Sequence, residues 1–154
     1  MVKSVKTPKS RVVFLSPQGR RFDQKTAARL AKEERLVLVC GHYEGIDERL
    51  MGLFDEEVSI GDYVLTGGEL PAMVVADAVV RLLPGVLKDE NATQAESFSR
   101  PLLDYPQYTR PRLWRGKKTP EVLFSGDHKK IADWRLRAAK LATRRKRPDL
   151  LAVQ

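Results

Sequence analysis

One cysteine and two histidines are all that 154 residues supply of thiol and imidazole. With Cys40 alone there is no disulfide framework, no Cys/His spacing suits a zinc site, and no Ser-His-Asp or Cys-His set stands out. Long apolar runs are missing as well. The longest, Leu70 to Leu83, is too short to cross a bilayer and is interrupted by Asp77 and Arg81. No signal peptide is visible, so a reducing, cytoplasmic setting without a membrane partner is expected. Neither Gly-x-Gly-x-x-Gly nor Gly-x-x-x-x-Gly-Lys-Ser/Thr occurs, which excludes the two common loops that cradle phosphates. Internal repeats and low-complexity tracts are absent too.

What is present begins with charge. There are 28 Lys and Arg against 20 Asp and Glu, a formal net charge of +8. That excess points to an anionic partner, nucleic acid first, unless it is ordinary solubility charge, and its distribution has to decide. The length is enough for a domain with a proper core.

The chain is organised around Ser59 to Ala72. A short β-type run, Tyr63-Val64-Leu65, leads into Gly67-Gly68, and a helix follows with Pro71 in its first turn, where a missing N–H costs nothing. Gly61, Gly67 and Gly68 would let a ligand approach the backbone closely; a tight turn with no ligand is the plain alternative. Two earlier strands precede similar loops. Arg11 to Leu15 runs into Ser16-Pro17-Gln18-Gly19, and Leu36 to Cys40 runs into Gly41-His42-Tyr43-Glu44-Gly45. Both strands are continuous and rich in β-branched residues, as in a parallel sheet covered on both faces. Three glycine-bearing loops after three strands would share one edge of such a sheet and form a crevice. A ligand held there by backbone need not carry a phosphate, and S-adenosylmethionine fits that description.

Between these pieces, Asp23 can cap a helix to about Glu34, and a short helix is expected from Asp47 to Phe54. The Leu70–Leu83 helix is apolar almost all round and should be buried on more than one side, the second side against a partner subunit. Val86 to Pro101 reads as a long loop of the kind used as a lid. Tyr105, Tyr108 and Arg110 could stack on bases, although packing on the domain is the default for such residues. Asp127 can cap a last helix with Ile131, Trp134, Ala138 and Leu141 on one face. Lys129, Lys130, Arg135, Arg137, Lys140 and Arg144 to Arg147 gather along it, and phosphate contact is the favoured reading of that patch.

Several of these stretches together resemble the bacterial tRNA (guanine-N1)-methyltransferase family. They are Leu15 to Gly19, Gly41 to Arg49, Ser59 to Ala72, Tyr108-Thr109-Arg110-Pro111, and Ser125-Gly126-Asp127-His128 through Trp134-Arg135, in matching order from about Arg11 to Leu150. The resemblance implies an α/β fold of the SPOUT type, a parallel sheet with a deep trefoil knot. It divides the chain into a knotted domain over 1–104, a linker over 105–126, and the start of a helical tRNA-binding domain over 127–154. It further implies a homodimer and a bent S-adenosylmethionine, with Mg2+ allowed as a second cofactor, and methyl transfer to N1 of the guanosine just 3′ of the anticodon.

Carried onto this sequence, the cofactor pocket is Leu15, Ser16, Gly41, Tyr43, Glu44, Gly45, Ile60, Gly61, Tyr63, Leu65, Gly67, Gly68, Pro71 and Ala72. The catalytic arginine falls on Arg81. The general base is Glu96 where the family usually has aspartate, with Asp104 and Glu90 as rival carboxylates. His42 stands where the family usually has arginine. Only ten residues precede the first strand, and one helix of the last domain is present, so the chain reads as the centre of the enzyme, naturally short or cut at both ends. The reading from another class is a knotted module that binds S-adenosylmethionine or RNA without methylating.

Overall fold

Val12, Val13, Phe14 and Leu15 are all buried, so consecutive side chains point into apolar surroundings on both faces of one strand. That strand, β1 (Ser10–Arg21), is the centre of a three-stranded parallel sheet in the order β2-β1-β3, with β2 (Arg35–Cys40) and β3 (Glu56–Ser59) on its flanks. The computed structural model describes residues 2–42, 45–88, 93 and 96–152 and divides into two compact units, Met1–Glu90 and Asn91–Gln154. A short helix α1 (Val2–Val5) precedes the sheet.

In the first unit, α2 (Gln24–Leu30) joins β1 to β2, and α3 (Glu69–Val80) follows β3. Val13, Leu15, Val58, Ala27, Leu30, Val75 and Val79 make one core between these strands and the two helices. Phe14 stacks on Phe54 at a ring separation of 5.0 Å. Asp23 caps α2 through the Thr26 N–H (2.7 Å) and hydroxyl (2.8 Å). The backbone bond lowers the Asp23 pKa against the opposing effect of burial. Asp47 likewise accepts from the Arg49 N–H at the start of a 3-10 turn over Glu48–Leu53.

Three expectations need correction. The third strand is Glu56–Ser59, not Tyr63–Leu65; residues 60–63 form a bend, and the Asp62, Tyr63, Val64 and Leu65 side chains are exposed. Glu56 looks wrong for a sheet interior, but Arg29 and Arg11 reach its carboxylate and neutralise it. Ser16 to Gly19 is not a free loop. It is a register shift inside β1, since Leu15 and Arg20 both pair with Val58. Gly19 permits this by lying on the β3 backbone. A Cβ there would overlap the Val58 N and sit 2.6 Å from the Glu57 carbonyl carbon. Finally, α2 stops at Leu30 with Ala31 as its cap, short of Glu34.

In the second unit, α4 (His128–Lys146) starts at Asp127, whose carboxylate accepts from the Lys130 N–H at 3.0 Å. Its buried positions are Ala139 and Thr143, with Ile131, Trp134 and Ala138 half-buried; Leu141, expected inside, is exposed. Leu141 lies about 200° round the helix from both Ala139 and Thr143, and Thr143 can occupy the covered stripe because its hydroxyl is satisfied. It donates to the Ala139 carbonyl and accepts from the Leu103 N–H, both at 2.8 Å. Leu102 is buried beside it. A two-stranded hairpin, β4 (Leu113–Trp114) and β5 (Lys117–Lys118), had no sequence expectation. Its turn residues Arg115 and Gly116 have φ of 47° and 75°, the two positive values that a tight hairpin turn requires.

Candidate cofactor cleft and nucleic-acid surface

Because the strands are parallel, the C-terminal ends of β2 and β3 lie level with the register shift in β1: Leu15 pairs with Cys40 on one side and with Val58 on the other. The segments leaving those ends meet at a cleft of about 590 Å³, within the roughly 300–1,000 Å³ usual for small-molecule sites. Eleven of the expected cofactor residues line it: Leu15, Ser16, Gly41, Gly45, Ile60, Gly61, Tyr63, Leu65, Gly67, Gly68 and Pro71. Ala72 packs on the core beneath. Tyr43 and Glu44 fall outside the described residues.

The walls are built by short-range bonds. Ser59, buried at the end of β3, donates its hydroxyl to the Gly61 carbonyl (3.0 Å) and accepts the Gly61 N–H (3.2 Å). Gly61 is held at φ 153° and a Cβ there would meet the Tyr63 ring. Ser59 was not singled out from the sequence, and a lone serine before Ile-Gly-Asp gives no signal of this role. The second and third segments are joined by the Gly68 N–H to the Gly41 carbonyl (3.0 Å), a bridge between His42 and Gly67, and a hydrogen bond between His42 Nε2 and the Glu69 carboxylate. The Glu69 carboxyl is held low by its own N–H at the start of α3, with the His42 bond adding to it. Cys40, under this junction, has its thiol pushed up by burial and then by the Glu69 charge, so it is not a reactive thiolate.

The two glycines at the third segment do different things. A Cβ at Gly68 would lie 2.7 Å from the Cys40 Cα and 3.0 Å from the Gly41 N, so this glycine is required by backbone packing. At Gly67 it would meet only the Glu69 carboxylate and, at 3.3 Å, His42 Cε1. Gly68 is therefore demanded by packing with or without a ligand, whereas the space beside Gly67 is bounded by side chains.

The charges in the cleft limit its ligand. The described lining residues include the carboxylates Glu48 and Glu57 and no Lys or Arg. A phosphate would find no cation there, whereas a sulfonium would find two anions. S-adenosylmethionine, which has that group, fits the lining on both size and charge. Among the described residues, no three of His, Cys, Asp and Glu gather to hold a metal ion.

Of the two catalytic candidates, Arg81 caps the C-terminal end of α3, its N–H bonded to the Asp77 carbonyl at 3.2 Å. Glu96 belongs to the second unit, half-buried, in a turn where the Ser99 hydroxyl donates to its carbonyl at 2.7 Å. The rival Asp104 is occupied locally, accepting from the Tyr105 N–H (2.7 Å) and the Gln107 amide (3.2 Å). Glu90 lies outside the described residues.

Outward, α3 presents Leu70 (60% exposed), Met73 (66%) and, past Asp77, Val80 to solvent. Only Val75 and Val79 of this helix are buried in the chain itself. In the second unit, Lys129, Lys130, Arg135, Arg137, Lys140 and Arg144 to Arg147 are exposed. The basic excess lies entirely there: residues 91–154 carry 15 Lys and Arg against 6 Asp and Glu, while residues 1–90 carry 13 against 14. Tyr105 lies under the Arg135 guanidinium (4.8 Å) and Tyr108 beside Trp134 (6.2 Å), so these rings pack on α4 as the default predicted. No helix among the described residues is long and apolar enough to cross a membrane.

A parallel α/β unit with a ligand cleft at its strand ends, followed by a strongly basic unit, is the class of architecture these observations define. The family described as tRNA (Guanine-1)-methyltransferase TrmD matches residues 1–153. Relatives named tRNA (guanine-N(1)-)-methyltransferase include that of Syntrophomonas wolfei, 56% identical over 97% of this chain and 62% of its own length. Those of Carboxydothermus hydrogenoformans (59% identical over 92% of this chain and 56% of its own length) and Limosilactobacillus fermentum (58% over 94% and 57%) are similar. The chain belongs to this family. It spans about three fifths of the length of the relatives it matches.

Proposed function

We propose that the chain acts in methyl transfer from S-adenosylmethionine to N1 of the guanosine 3′ of the tRNA anticodon, in the cytoplasm. The observation that carries this is the cleft at the shared strand ends, lined by eleven of the residues expected for the cofactor and by carboxylates but no described cation, in a member of a tRNA methyltransferase family. When bound, S-adenosylmethionine supplies an electrophilic methyl on a sulfonium.

The protein has two tasks around it. Glu96 takes the N1 proton as N1 bonds to the methyl carbon and the sulfur leaves as a thioether. Arg81 balances the charge that develops on O6. Mg2+ has no site built by described residues, and no step is assigned to it. The knotted SPOUT arrangement, with residues 1–104 as methyltransferase domain, 105–126 as linker and 127–154 as tRNA-binding helix, belongs to this proposal. So does a homodimer in which a second copy covers the apolar side of α3; a monomer mass in light scattering at micromolar concentration would contradict it.

Calorimetry with S-adenosylmethionine tests the reading. Binding should be saturable and should weaken at least tenfold in Gly67→Val, at a cleft-lining position where the atoms nearest an added Cβ belong to the Glu69 and His42 side chains. Equal affinity in the two proteins would remove the cofactor from this cleft.

A further inference from the structure

The Trp114 hairpin carries none of the functions assigned so far. Over residues 105–120 there are five cations, Arg110, Arg112, Arg115, Lys117 and Lys118, and no acid. The hairpin at their centre is short but well held. The Thr119 N–H closes it on the Arg112 carbonyl at 2.8 Å, and the Arg112 guanidinium sits 4.0 Å over the Phe124 ring. Its pairing sets Trp114 directly opposite Lys117, so an indole and an ammonium share one face of the ribbon. Arg115 stacks on the same indole at 4.7 Å. Trp114 is nevertheless 56% exposed, a large cost to leave uncovered for a residue that buries so much apolar area. Tyr105 and Tyr108 differ in their setting, since both pack against α4, on Arg135 and Trp134.

We propose that Trp114 is a stacking platform for one unpaired RNA base, with Lys117 and Arg115 beside it for the flanking phosphates. An exposed aromatic flanked by cations is the chemistry that recognises single-stranded nucleic acid, because every base has a π face and every linkage a negative charge. A duplex offers no free base to such a platform. A protein partner would need an acidic, apolar surface, and the unbroken run of cations favours the polyanion. This inference rests on the proposal that the second unit meets RNA, and adds to it a site and a preference for unpaired nucleotides.

The test is titration of the full chain with an unstructured RNA octamer of C and A and with a blunt RNA duplex of equal length. Trp134→Phe is the background, leaving Trp114 as the only tryptophan. Saturable quenching by the octamer and much weaker quenching by the duplex are expected. Trp114→Ala, read by the anisotropy of a dye-labelled octamer because the quenching signal goes with the indole, should weaken octamer binding roughly 5- to 150-fold, the equivalent of ~1–3 kcal/mol for one stacked base, and Trp114→Phe should recover most of it. The salt dependence of Trp114→Ala should match the native protein, because no cation is removed. If Trp114→Ala binds the octamer as the native chain does, the platform is refuted while RNA binding by the unit stands. If the native chain binds neither RNA at any salt concentration, the functional reading of the second unit falls, and the platform with it.

Discussion

Gly68→Ala separates a packing requirement from a binding one. The backbone at Gly68 has φ −82° and ψ −4°, which alanine adopts freely, so unfolded-state entropy alone would make the substitution stabilising by about 0.4–1 kcal/mol. The contacts decide against it. The new methyl group would lie 2.7 Å from the Cys40 Cα, 3.0 Å from its Cβ and 3.0 Å from the Gly41 N. All belong to the end of β2 or the residue after it, and cannot rotate away. Overpacking of this kind costs about 1–3 kcal/mol, with backbone displacement at the upper end. A net loss of ~2 kcal/mol in a unit of this size lowers the unfolding midpoint by roughly 8–16 °C. Gly67→Ala is the control, because its methyl group meets only the exposed Glu69 and His42 side chains. Thermal unfolding followed by circular dichroism reads both variants. A Gly68→Ala midpoint within about 2 °C of the native protein would refute the packing argument, and an equal loss in Gly67→Ala would refute the distinction.

Glu56→Gln removes the charge that Arg29 and Arg11 share at the start of β3, and should cost about 1–2 kcal/mol in urea unfolding. Burial pushes the Glu56 carboxyl up, but the two guanidiniums outweigh it and its pKa lies below the ordinary value. Its contribution is therefore full above about pH 4.3, is lost as pH falls through the lower folded value, and should be missing from the acid limb of the variant. Thr143→Val keeps the shape but leaves the Leu103 N–H without its acceptor. A loss of about 1–3 kcal/mol and faster amide exchange at Leu103 should follow, while Thr143→Ser retains the bond; unchanged exchange in Thr143→Val would overturn this role.

The sequence exposed β1 and β2 because four or five consecutive apolar residues need no distant partner to be recognised. Asp23 and Asp127 were legible as caps for the same reason, since each acts within three residues. What escaped depends on contacts across the chain. Glu56-Glu57-Val58-Ser59 reads as a charged connection until Arg29, 27 residues away, and Arg11, 45 away, are brought to it. Tyr63-Val64-Leu65 has strand propensity, yet the Ser59–Gly61 bonds turn the backbone before it can pair. Gly19 looks like a loop residue, and only the β3 backbone beneath it explains the absent side chain. The resemblance recovered much of the cleft because its motifs occupy the ends of the strands. It said nothing of the hairpin, since Arg115-Gly116 is not the Asn-Gly or Asp-Gly pair that announces such a turn.

Single-turnover methyl transfer to unmodified tRNA, with the modified position mapped, tests the central claim most directly. The native chain should methylate N1 of the guanosine 3′ of the anticodon. Glu96→Gln should be slower by roughly 10²–10⁴-fold while binding S-adenosylmethionine with nearly unchanged affinity. Transfer by Glu96→Gln within about threefold of native would contradict its role as the base, and a methyl group found on any atom other than guanine N1 would contradict the account itself.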